Sequence, residues 1–263
     1  MDERFNQGRS FLKSNWHLVS EIKSDQAKGL PPPPQEFPPE PDESLVMLPK
    51  PDELFTEAQK KSGSDIPSER LFSLLKTRKS RRIFKNESIS LRQLAFLLWT
   101  CEGVRENKGK YSFRTVPSGG ARHPLDLYVF AHKVEDLPVG LYRYLPIEHA
   151  LVLERPGDDS AALDEALLGQ FWNSTCVIMW AAVPYRSEWR YGRAADKLVA
   201  LDAGHSCQNL YLACESLGLG TCAIGAYNQE KLDSYLGLDG EDMFALYAAP
   251  VGWPKEKPEP AEG

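Results

Sequence analysis

The chain has 263 residues, 42% of them hydrophobic and 26% charged, with a formal net charge of −6. That length supports one sizeable core and so a globular protein, while the acidic balance offers no overall basic field and argues against nucleic acid as a general partner. No apolar run approaches the roughly 20 residues of a membrane span, and the opening MDERFNQGRS lacks the apolar centre of a signal peptide, so a cytoplasmic protein without membrane contact is expected.

The first sixty or so residues differ from the rest. GLPPPPQEFPPEPDE (29–43) is too proline-rich for a helix or central strand and reads as polyproline II. It is either a ligand for an aromatic-lined partner groove or a strap laid over the protein's own surface. Residues 1–65 are taken as a Pro-rich extension, 66–254 as the compact domain and 255–263 as a short tail.

Within the domain, SERLFSLLKTR (68–78) has apolar residues at helical spacing, and RIF (82–84) reads as extended. SLRQLAFLLWTCEGV (90–104) opens on Ser90 and Gln93, the Ser-x-x-Gln pair that caps a helix start. DLYVFAH (126–132) reads as a strand, and GLYRYL (140–145) and ALVLER (150–155) as a hairpin. ALDEALL (162–168) is a short helix, and TCVIMWAAV (175–183) has the length and apolarity of a strand buried on both faces. KLVALDAGHSCQNLYLACESLGLG (197–220) reads as a long helix stopped by Gly218 and Gly220, apolar over enough of its circumference to lie centrally or at a subunit interface. A last helix near 229–236 precedes the strand FALYAAPVGW (244–253). Strands and helices do not alternate strictly, which favours α+β over a doubly wound sheet.

Three segments could carry chemistry. RKSRRIF (78–84) offers four cations and a hydroxyl, a set suited to a phosphomonoester or to a solvated helix end. PSGG (117–120) supplies two residues without Cβ, suited to close backbone approach or to an ordinary turn. GLGTCAIGAY (218–227) could present backbone N–H groups to a ligand, or simply end a helix. The five cysteines (Cys101, Cys176, Cys207, Cys214 and Cys222) read as buried free thiols, and the five histidines show no metal spacing. His205 reads as a core or interface residue. With no nucleophile elbow and no metal set, borrowed cofactor reactivity is the best fit.

Together RKSRRIF, PSGGARHPLDLYVF, DAGHSCQNLYLACESLGLGTCAIGAY and the final VGWP resemble the FMN-dependent nitroreductase superfamily, most closely its thiazole/oxazole-forming (SagB-type) dehydrogenase branch. The resemblance covers about residues 66–254. It implies an α+β nitroreductase-like fold, with a central, mainly antiparallel sheet flanked by helices, in an intertwined homodimer. It implies FMN at the dimer interface, NADH or NADPH as electron donor, and a small-molecule acceptor reduced by a ping-pong mechanism. By motif, Arg78, Ser80 and Arg82 would hold the FMN phosphate and ribityl chain with Lys79 nearby. Pro117, Ser118, Gly119 and Gly120 would pack on the isoalloxazine from the partner chain, and Ala223, Ile224 and Gly225 along its other side. Lys255 and Lys257 would complete the phosphate site. Where the azole-forming branch has a catalytic Lys-Tyr pair, WRYG offers Arg190 and Tyr191, taken as the catalytic candidates.

Three activities follow as expectations: an FMN oxidoreductase acting on a nitroaromatic or quinone, a dehydrogenase oxidising azoline rings in a modified peptide, and a flavin-binding protein without turnover whose Pro-rich segment engages a partner. Among the aromatics, Trp172 and Trp180 read as core, whereas Trp189 and Tyr191, in a polar loop, read as active-site rim.

Overall fold

The computed structural model describes residues 23–41, 43–49 and 67–255. The N-terminal residues of the signal-peptide reading, residues 50–65 of the extension, and the tail beyond Lys255, with Lys257, lie outside the described residues.

The elements run β1 (Leu45–Met47), α1 (Pro67–Thr77), α2 (Leu91–Glu102), β2 (Val104–Asn107), β3 (Ser112–Arg114), β4 (Leu125–Ala131), β5 (Gly140–Leu145) and β6 (Ala150–Pro156). They continue with α3 (Ser160–Ala166), β7 (Cys176–Ala182), α4 (Tyr185–Tyr191), α5 (Ala195–Ser216), β8 (Gly220–Thr221), α6 (Gln229–Leu236) and β9 (Phe244–Gly252). Seven strands form one sheet in the order β1-β6-β5-β4-β7-β9-β8, antiparallel throughout. β2 and β3 form a separate hairpin. The α+β class is therefore the observed one, with helices on both faces of an antiparallel sheet.

Side chains of successive strand residues point to opposite faces, and here both faces are covered. Leu127 and Val129 of β4, with Ile178 and Trp180 of β7, pack with α2 and α5 on one side. Tyr128, Phe130, Val177 and Met179 pack with α3 and α6 on the other. Double coverage explains why β7 reads as an unbroken apolar run. Ser206 of α5 ties the first layer together: Trp180 Nε1 donates to its hydroxyl at 2.8 Å, and that hydroxyl donates to the Cys101 carbonyl at 3.0 Å. All five cysteines are buried and free. Trp180 is fully buried as expected, but Trp172 is only partly so and lies beneath the Arg82 guanidinium, 6.0 Å from its ring.

At the start of α2 the capping box forms as read: Gln93 N–H donates to the Ser90 hydroxyl at 3.2 Å and Ser90 N–H to Gln93 Oε1 at 2.9 Å. α5 is shorter than the spacing implies, ending at Ser216. Gly218 takes a positive φ of 73° and Gly220 has already joined β8. Trp189 and Tyr191, expected in a polar loop, belong to α4, which is tied to the core by a two-pronged bond from Arg186 to Asp126 at 2.5 and 3.1 Å. The β2–β3 hairpin was not legible, its strands being short and polar. None of the helices in the described residues is long and apolar enough to cross a membrane.

The proline-rich segment lies against its own domain. Gln26 N–H donates to the Trp189 carbonyl at 2.7 Å, and Trp189 Nε1 returns a bond to the Leu30 carbonyl at 2.9 Å. Further on, Arg114 Nη2 donates to the Gln35 carbonyl at 3.1 Å and Arg143 Nη1 to the Phe37 carbonyl at 2.9 Å. Phe37 sits under the Arg186 guanidinium, 5.2 Å from ring centre. β1 then adds to the β6 edge of the sheet, so the strap closes a strand edge that would otherwise offer unpaired backbone groups.

Candidate active site

The cation-rich stretch after α1 is held on the end of the sheet. Ser80 bridges Thr221 of β8, and Arg81 N–H donates to the Thr221 carbonyl at 2.9 Å. The stem of Arg81 fills the space a Cβ on Gly220 would need, with Cγ 2.5 Å away, so this glycine is required for the approach. Tyr211, on α5, joins two of the sequence motifs. Its hydroxyl lies 3.1 Å from Ser80 Oγ and accepts the Ala223 N–H at 2.8 Å, while the Arg78 guanidinium stands over its ring at 5.3 Å. Burial pushes the Tyr211 phenol up, so it stays protonated.

Lys79, Ser80 and Arg82 are exposed around this point. Lys255, also exposed, is brought alongside by its backbone bond to the Ile83 carbonyl at 2.9 Å. The Ala223 amide is committed to Tyr211, and the Ile224 amide to the Ala248 carbonyl at 2.7 Å. Gly225 is exposed, and among the described residues its N–H has no acceptor. Arginine and hydroxyl donors with an open backbone amide beyond them fit a phosphate-bearing ligand. The orphaned Arg81 Nε, buried without a partner among the described residues, adds to that fit.

The glycine pair forms a second constellation. Gly119–Ala121 is a single 3₁₀ turn with Gly120 at φ 59°. A Cβ on Gly120 would overlap the Tyr191 hydroxyl and come within 3.0 Å of Arg190 Cδ. The Ser118 hydroxyl faces inward, donating to Asp202 Oδ2 of α5 at 2.6 Å and accepting the His123 N–H at 2.9 Å. The cationic neighbours of the glycines are anchors. Arg122 Nε donates to the Arg186 carbonyl at 2.9 Å with its guanidinium 4.8 Å from the Trp189 ring centre. His123 Nε2 lies 3.1 Å from the Ser112 carbonyl, which makes it the protonated nitrogen; burial holds this imidazole down to about 3 and therefore neutral. Trp189, expected at the rim, is buried at 7% exposure because it serves both the strap and Arg122.

Arg190, Gly120, Ser118 and Pro117 line a cleft of about 710 Å³, completed by Arg105 and Phe113 from the β2–β3 region. Behind it Glu102 is buried and pairs with Arg114 at 3.2 Å. Burial still lifts its carboxyl to about 7, outweighing the opposing pull of Arg114. No group of acidic, histidine or cysteine residues among the described residues could hold a metal ion.

The two constellations occupy different parts of one chain. Ser118 attaches at Asp202 and Ser80 at Tyr211, nine residues further along α5. At 3.6 residues and 5.4 Å per turn that is roughly two and a half turns, about 13 Å along the axis and on opposite sides of the helix. Between them Leu201, Gly204, His205 and Gln208 form an exposed stripe; His205 belongs to this surface and not to the core. Sequence reasoning missed Tyr211, Asp202 and Arg105. A tyrosine at a half-apolar helix position carries no separate signal, and the other two gain their setting only from tertiary contacts.

The family model described as Nitroreductase family matches residues 75–253. MJ1384 of Methanocaldococcus jannaschii, itself assigned as a nitroreductase, is 32% identical over 190 residues, covering 72% of this chain and 93% of that protein. A crystal structure assigned as a nitroreductase, from Ralstonia eutropha JMP134, is 30% identical with a TM-score of 0.64, covering 87% of this chain and 97% of its own. The trifolitoxin-processing protein TfxB of Rhizobium leguminosarum bv. trifolii is 29% identical over 143 residues, 50% of this chain and 37% of that protein.

Proposed function

Since this chain belongs to the nitroreductase family, we propose that it is an FMN-dependent oxidoreductase taking hydride from NADH or NADPH and reducing a small acceptor such as a nitroaromatic or quinone. The observation that carries this reading is the meeting of two sequence motifs at Tyr211, where Ser80 and Ala223 share one hydroxyl. Arg78, Ser80 and Arg82, with Lys79 and Lys255 beside them, would hold the phosphate of the cofactor. When bound, FMN supplies a carrier that accepts two electrons from the nicotinamide and releases them to the acceptor. Gly225 would donate its N–H to the ring edge, where a fixed backbone dipole favours the charge that reduction creates. Tyr191 Oη would hold a proton near the acceptor, and Arg190 would orient the acceptor through its guanidinium without acting as a base.

A two-fold pair of chains would bring the Pro117–Gly120 turn of one protomer to the cation cluster of its partner. Support comes from the opposed directions of Asp202 and Tyr211 on α5 and from the open stripe around Gly204, where an added Cβ would meet nothing. Closed two-fold pairing is the commonest way to cover such a face.

The test is a visible spectrum of the purified protein, with its released chromophore identified by mass, before and after anaerobic NADH or NADPH. Bound FMN that bleaches with either donor is the expected result. A protein that takes up no FMN on reconstitution refutes the reading.

The motif resemblance to the azole-forming branch, beside the similarity to a trifolitoxin-processing protein, motivates a second reading, a dehydrogenase oxidising azoline rings in a peptide. It predicts that Tyr191→Phe abolishes azole formation in the presence of a cyclodehydratase; undiminished oxidation would remove this reading.

A further inference from the structure

The cleft beside the glycine turn reverses the charge of the molecule around it. The chain carries a formal net charge of −6, yet the residues lining this cleft include Arg105, Arg114 and Arg190 and no aspartate or glutamate. Arg114 is fully occupied by Glu102, the Gln35 carbonyl and Ser112, which leaves two guanidiniums for a ligand. Arg105, anchored by Nε to the Arg114 carbonyl at 2.8 Å, extends from the β2–β3 hairpin. Arg190 comes from the last turn of α4. Both are exposed, and neither meets a carboxylate among the described residues. Guanidinium groups from separate elements around a partly enclosed space focus the field on an anion and match a carboxylate geometrically.

The same cleft offers flat apolar contact. Tyr111 and Phe113, each 41% exposed, stand edge to face at 5.5 Å on its hairpin wall, and Val116 and Pro117 continue the surface toward Gly120. Exposed rings of this kind suit a planar aromatic ligand. The wall is held in place: Gln35 of the strap donates to the Gly109 carbonyl at the hairpin tip at 2.8 Å.

We propose that this cleft selects an aromatic acceptor bearing a carboxylate, gripped by Arg105 and Arg190 and stacked against the Tyr111–Phe113 wall. As a substrate assignment it rests on the oxidoreductase reading above; as a binding site it does not. An anion in the cleft could also be the phosphate of the nicotinamide donor, and the experiment separates the two.

Calorimetric titration of the full-length protein as purified, with 4-nitrobenzoate and its uncharged analogue 4-nitrobenzamide, reads the selectivity without turnover. The carboxylate is expected to bind at least tenfold tighter than the amide. Raising salt should narrow that ratio in the wild type, and Arg105→Gln and Arg190→Gln should each bring it close to one. Equal binding of the two compounds by the wild type overturns the proposal. So does an Arg105→Gln variant that loses affinity for NADPH and keeps it for 4-nitrobenzoate, because the cations would then serve the donor. Selective binding by a protein that takes up no FMN even on reconstitution upholds the cleft and refutes the flavin reading; a flavoprotein that bleaches but does not discriminate does the opposite.

Discussion

Gly120 and Tyr191 are packed so closely that the phenol hydroxyl occupies the space a side chain at position 120 would need. The contact joins the glycine turn to the catalytic candidate pair, although seventy residues of sequence separate them. Gly120→Ala is therefore doubly unfavourable: its φ of 59° costs an ordinary residue about 1–2 kcal/mol, and its methyl displaces Tyr191. We expect a folded protein, a thermal midpoint lower by several degrees in a circular-dichroism melt, and a more than tenfold loss of acceptor reduction. Activity within twofold of wild type would show that the position of Tyr191 is immaterial.

Tyr211→Phe removes the hydroxyl that Ser80 and Ala223 share, leaving the Ala223 N–H without its acceptor. A lost hydrogen-bond partner in a part-buried place costs about 1–3 kcal/mol. The expected signature is a roughly tenfold weaker Kd for FMN with a smaller change for riboflavin, because Ser80 belongs to the phosphate end. Fluorescence titration of the apoprotein measures both, and an equal loss for the two flavins would move the effect from the phosphate to the ring.

If the α5 stripe is the pairing face, Leu201→Arg should break it. Leu201 is 48% exposed, so the substitution leaves the core of one chain intact. Sedimentation is expected to shift from dimer to monomer at micromolar concentration, with loss of bound FMN. A variant that remains dimeric places the contact elsewhere.

The strap carries a titrating latch. Glu36 is 8% exposed, accepts the Ile147 N–H at 3.1 Å, and lies near the Glu148 carboxylate. Burial lifts its carboxyl from 4.5 to about 8, with the Glu148 contact acting in the same direction. Between those values the folded state holds more proton than the unfolded one, so this contribution is complete below 4.5 and declines as pH rises through 8. Hydrogen exchange of residues 30–40, corrected for intrinsic rates, should accelerate between pH 6.5 and pH 9. Glu36→Gln should abolish that change, and a strap equally protected at both values would contradict it.

Much of this organisation was legible without coordinates. Ser90 and Gln93 cap α2 as their spacing implies, because both partners of a capping box are local. The short, nearly all-apolar runs of β7 and β4 identify strands buried on both faces from length and composition alone. The three ordered motifs identify the family, since close backbone approach at Gly120 and Gly220 constrains the residue type directly.

What only the tertiary structure decided is which of these segments meet. Arg122 and His123 become buried anchors because α4 and β3 supply them with carbonyls, and Trp189 moves from an expected rim to the interior because the strap covers it. The β2–β3 hairpin, polar and short, acquires its place through Arg114, whose burial depends on Glu102 at the end of α2 and on the carbonyl of Gln35, 79 residues away in the strap. Capping, turn conformation and periodicity are set by neighbours a few residues away, and the sequence states them. The partner of a buried charge is chosen by desolvation across the whole fold, which no local pattern records.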